Sequence, residues 1–92
     1  MERIHATVRG RVQGVSFRFF VQQNASKIGV NGWVRNRLEG SVELEAEGEK
    51  YKLEQLLAVI KQGPRNSRVD EVEVEWLESH QTSSQFVIIP TV

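Results

Sequence analysis

No cysteine occurs among the 92 residues, which excludes a disulfide framework, a thiolate nucleophile and a Cys-ligated metal. Long apolar runs are missing too. Runs such as Phe86-Val87-Ile88-Ile89 fall far short of the ~20 residues a bilayer requires. A charge imbalance is also lacking: twelve basic residues cancel twelve acidic ones, so no global field draws the chain to nucleic acid or membrane. Met1-Glu2-Arg3-Ile4-His5 enters a strand pattern at once, without a secretory apolar region. These absences lead us to expect a soluble, cytoplasmic, monomeric protein made of one domain over residues 1–92.

Clusters of reactive side chains are equally scarce. His5 and His80 have no metal-ligand spacing with each other or with an acid. The single aspartate, Asp70, and the glutamates alternate as a solvated face requires, not as a carboxylate dyad. Ser16 has no histidine within local reach to activate it. No G-x-x-x-x-G-K-[ST] run occurs, so there is no nucleotide-binding P-loop. An enzyme built from this chain is expected to work with no metal, no cofactor and no evident acid–base pair.

Two hydrophobic periods alternate along the chain. Ile4, Ala6 and Val8, interleaved with Arg3, His5, Thr7 and Arg9, read as a half-buried strand. Phe17, Val21, Ala25 and Ile28 follow at helical spacing, stopped by Gly29. Residues 30–36 read as a second strand, Arg37-Leu38-Glu39-Gly40 as a turn, and Val42, Leu44 and Ala46 as a third strand. Leu53, Leu56, Leu57 and Ile60 make a second helical stripe ending at Gly63-Pro64. Val72, Val74 and Trp76 form a fourth strand, and a short fifth runs through Phe86 and Ile88.

The order β-α-β-β-α-β plus a terminal strand predicts an α+β, ferredoxin-like split βαβ sandwich: a mostly antiparallel sheet with two helices on one face. Its first strand would lie between the third and the fourth. The bare face would then pair Arg3, His5, Thr7 and Arg9 with Glu43, Glu45 and Glu47 on one side and Glu71, Glu73 and Glu75 on the other. Such a face does not suit single-stranded RNA, which stacks on aromatic side chains of the central strands. The third strand offers carboxylates instead, and Trp33 alone makes no platform.

The most informative stretch is Gly10-Arg11-Val12-Gln13-Gly14-Val15-Ser16-Phe17-Arg18, where the first strand hands over to the first helix. Unpaired N–H groups and the positive end of the dipole make such a turn a cradle for phosphate. A cation in the first turn opposes the dipole by roughly 0.3–1 kcal/mol, so Arg18 is misplaced unless an anion faces it. Arg11, Arg35 and Arg37 are expected to serve solubility or the steering of an anion. Phe17, Phe20 and Val21 are expected in the core, and Trp33 in packing.

That stretch, followed by Gly32-Trp33-Val34-Arg35-Asn36 and Gly40-Ser41-Val42-Glu43, closely resembles the acylphosphatase family. The resemblance implies hydrolysis of the carboxyl–phosphate bond of acyl phosphates. It implies that Arg18 binds the substrate phosphate, that the loop of Gln13, Gly14, Val15, Ser16 and Phe17 contributes backbone N–H groups, and that Asn36 positions the attacking water. The position of Ser16 is often glycine in that family. From spacing alone, Asn36 before a turn also suits an Asx-turn. The implied partners are a small acyl phosphate and, as competitors, inorganic phosphate and sulfate. The alternative reading is a non-catalytic, anion-sensing module of the same fold.

Overall fold

The computed structural model describes residues 1–80 and 83–92. The elements run β1 (Glu2–Arg11), α1 (Phe17–Ile28), β2 (Asn31–Asn36), β3 (Val42–Gly48), α2 (Lys50–Gln62), β4 (Arg68–Glu78) and β5 (Phe86–Ile88). They make one five-stranded sheet in the order β4-β1-β3-β2-β5. Every neighbouring pair is antiparallel except β2 with β5. Helix α1 packs over β2 and β5, and α2 over β1, β3 and β4. This is the ferredoxin-like arrangement that the two periods predict, with β1 between β3 and β4.

The inward set of each element meets in one core. Ile4, Ala6 and Val8 of β1 and Val42, Leu44 and Ala46 of β3 are fully buried beneath Phe17, Val21, Leu53, Leu56 and Ile60 of the helices. Full burial of a side chain the size of valine or leucine contributes roughly 1.5–3 kcal/mol, so these stripes fix which face each helix turns inward. Gly29, with φ 96°, ends α1 by donating its N–H to Ala25 O at 2.9 Å.

The open face carries the anticipated cross-strand charges, paired diagonally except for Arg9 with Glu71 directly opposite it. Arg3 bonds Glu45 at 3.2 Å, His5 Nε2 lies 2.6 Å from Glu43, and Arg9 engages Glu71 and Glu73. Arg35 and Arg37 also converge on Glu43, at 2.8 and 3.2 Å, so neither is the free steering charge the sequence suggests. Burial pushes the Glu43 carboxyl up, but hydrogen bonds from His5, Arg35 and Arg37 outweigh it and hold the group at about 2. Trp33 lies on this same face under the Arg35 guanidinium, 4.9 Å from the ring centroid.

Two side chains depart from the alternation. Glu47 is buried rather than solvated, and its carboxylate accepts the backbone N–H of His80 at 3.2 Å. Trp76 shares register with Ile4 yet stays 41% exposed, because β4 is the outermost strand.

Candidate active site

The handover from β1 to α1 is shaped residue by residue. Register with β4 shifts between Arg9 and Gly10, an irregularity after which Gly10 and Arg11 still pair with Val69 and Arg68. Val12 drops into the core at 1% exposure and pins the loop from below. The Gln13 amide then donates to Arg37 O at 2.7 Å and to Ser41 O at 2.8 Å, bolting the loop to the β2–β3 turn. Gly14 takes φ 74° with open space where a Cβ would stand, so it is required for backbone geometry and not for clearance.

Ser16 is the strained member. It caps α1 in the left-handed region, at φ 62° and ψ 29°, and its side chain makes no capping bond. An L-residue in that region costs roughly 1–2 kcal/mol, which explains why glycine suits the position. Among the described residues, no hydrogen bond draws on the backbone N–H groups from Gly14 to Phe19. The first turn contains no acidic residue. Free donors and a positive dipole end are thus left together, as anion recognition requires.

A cleft of about 430 Å³ opens at this point. Gln13, Gly14, Ser16, Phe17 and Arg18 line it from the loop and helix, and Asn36 from the end of β2. Val15 alone of the loop residues does not line it; its side chain packs against the core. Arg18 is half-buried, and among the described residues it has neither ion pair nor hydrogen bond. Arg3, Arg9, Arg35, Arg37 and Arg68, by contrast, all lie against carboxylates. The cleft therefore holds a guanidinium that, among the described residues, no carboxylate pairs with.

Asn36 is the second unspent group. Its Oδ1 is buried with no hydrogen-bond partner, a condition that costs roughly 1–3 kcal/mol when nothing relieves it. The Asx-turn is ruled out, since the N–H groups that follow go elsewhere: Arg37 N to Ser41 O and Leu38 N to Val92 O, both at 2.8 Å. Among the described residues no three His, Asp or Glu side chains are grouped to hold a metal ion, and no helix is long and apolar enough to cross a membrane.

Sequence reasoning missed two features here. The clamp through the Gln13 side chain leaves no mark on any local pattern. Phe19 and Ile88, 59% and 39% exposed, rim the cleft. Phe19 could have been found, because it falls off the stripe of Phe17, Val21 and Ala25.

Comparison with known proteins concerns the chain as a whole. The family described as Acylphosphatase matches residues 4–88. The chain is 50% identical over 78 residues to an acylphosphatase of Thermus thermophilus, covering 85% of this chain and 89% of that one. It is 47% identical over 78 residues to an acylphosphatase of Salinibacter ruber, covering 85% and 82%. The crystal structure of acylphosphatase from Bacillus subtilis superposes with a TM-score of 0.94 at 39% identity, covering 97% of this chain and 99% of that one.

Proposed function

This chain belongs to the acylphosphatase family, and from that premise we propose how it hydrolyses the carboxyl–phosphate bond of acyl phosphates. Arg18 and the free N–H groups of residues 13–17 bind the phosphoryl oxygens. Asn36 holds the attacking water. The observation that carries this reading is the pairing, on one cleft, of an uncompensated guanidinium with a buried carbonyl oxygen that has no partner.

The chemistry suits so sparse a site. A carboxylate leaving group has a conjugate acid of pKa about 4, so no general acid is required. The loose transition state of phosphoryl transfer needs charge neutralised on the equatorial oxygens and a water held in line. A two-pronged guanidinium with several N–H groups supplies the first need. The Asn36 Oδ1, accepting a hydrogen bond from the water, supplies the second. As the water oxygen bonds to phosphorus, the acyl oxygen departs as carboxylate and the water proton passes to a phosphoryl oxygen. No protein base and no metal enters.

We place this chemistry in a cytoplasmic, single-domain monomer acting on a small molecule. The mutual neutralisation of charge on the open face supports it by leaving no strong field there for a nucleic acid or membrane. An anion-sensing module would need the cradle but not the unpartnered amide of Asn36. Purified protein in EDTA should hydrolyse benzoyl phosphate, with inorganic phosphate and sulfate competing. Strict dependence on a divalent ion would refute the mechanism.

A further inference from the structure

We infer that the outer part of the cleft is a subsite for the acyl group, and that it favours bulky apolar acyl groups over small or carboxylate-bearing ones. This rests on the acyl-phosphate reading and adds the leaving half of the substrate to it.

Space is the first argument. A volume of about 430 Å³ equals roughly fourteen water molecules at ~30 Å³ each. A tetrahedral phosphate against the loop fills only a small share of that. The remainder faces whatever is bonded to phosphorus, since the departing oxygen lies opposite the attacking water in an in-line displacement.

The walls are the second argument. Phe19 and Ile88 are two of the molecule's exposed large hydrophobic side chains, and both line this one cleft. Neither is placed there by the core. Phe19 sits on the outer side of α1, where Gln23, Ser26 and Lys27 are also exposed. Ile88 ends β5 opposite Val34, while Phe86 carries the burial of that strand. One ring and one branched aliphatic chain lining the same cleft offer an apolar surface to a flat or branched acyl group.

Charge is the third. Arg18 is the one charged side chain lining the cleft among the described residues, and the phosphate occupies it. The Gln13 amide is committed to Arg37 O and Ser41 O. A carboxylate on the acyl group would therefore give up part of its hydration against apolar walls and find no cationic partner in the cleft.

The test compares kcat/KM for benzoyl phosphate and acetyl phosphate in the wild type, Phe19→Ala and Ile88→Thr. Taking the ratio of the two substrates and following its change between variants cancels their different intrinsic reactivity. We expect Phe19→Ala to lower the benzoyl-to-acetyl ratio on the order of tenfold, with Ile88→Thr moving it the same way. Phe19→Gln repeats the measurement should Phe19→Ala lose its fold by circular dichroism. An unchanged ratio in the folded Phe19 variant overturns the subsite even though the wild type hydrolyses both compounds. Failure of the wild type to hydrolyse either compound would instead overturn the acyl-phosphate reading itself.

Discussion

Replacing Asn36 by alanine should push turnover and stability in opposite directions. The amide oxygen is buried without a partner, and such a group costs roughly 1–3 kcal/mol. The cleft it faces is open to water, and an ordered water relieves part of that cost while giving up ~0–2 kcal/mol of entropy. Removing the amide thus returns about 1 kcal/mol at most. With an unfolding entropy of ~2.1 cal/mol/K per residue over 92 residues, 1 kcal/mol corresponds to roughly 5 °C. Asn36→Ala should therefore melt between the wild-type temperature and about 5 °C above it. Its kcat should fall about 100-fold, the loss typical of a displaced reactant. Phosphate binding supplies the control. A ligand at 100 times its Kd adds about 2.7 kcal/mol, or roughly 14 °C here. That shift should persist in Asn36→Ala and largely vanish in Arg18→Ala. Calorimetry with and without phosphate, alongside steady-state kinetics, reads all of these quantities. Wild-type turnover in Asn36→Ala, or a melting temperature more than about 5 °C lower, would show that the amide supports the turn instead of the water.

Four other substitutions probe the surrounding structure. Arg18→Lys keeps the charge but loses the planar fork, so kcat/KM should stay at least about tenfold below wild type, and equal activity would make Arg18 a bystander. Ser16→Gly relieves a left-handed conformation worth roughly 1–2 kcal/mol and gives back ~0.5–1 in chain flexibility, so calorimetry should show an unchanged or slightly raised melting temperature. Ser16→Val, β-branched at φ 62°, should melt lower than both, and parity between valine and glycine would remove the strain argument. The depressed Glu43 carboxyl adds stability that is complete above its ordinary value of 4.5 and is lost as pH falls toward about 2. Urea titrations should therefore find Glu43→Gln less stable than wild type at pH 7, with a shallower loss across that acid window.

Periodicity by itself determined the elements, the buried stripes and the charge-paired face of this protein. Burial of Ile4, Ala6 and Val8, or of Leu53, Leu56 and Ile60, follows from which side of a strand or helix each residue occupies, and that is set by near neighbours in the chain. The anion cradle was legible for the same reason: glycine, a helix start and an arginine in its first turn are all local features. The proposed role of Asn36 was not legible from spacing, which favoured an Asx-turn; it came from the likeness of whole motifs to a known family. Only the tertiary structure decided which distant residues meet. Strand order and register carry Asn36 to the loop, set Arg37 O and Ser41 O against the Gln13 amide, lay the His80 N–H on Glu47, and bring Ile88 to the cleft that Phe19 rims. A pattern repeating every two or four residues encodes which face is turned inward; what lies opposite that face is fixed only when the sheet closes.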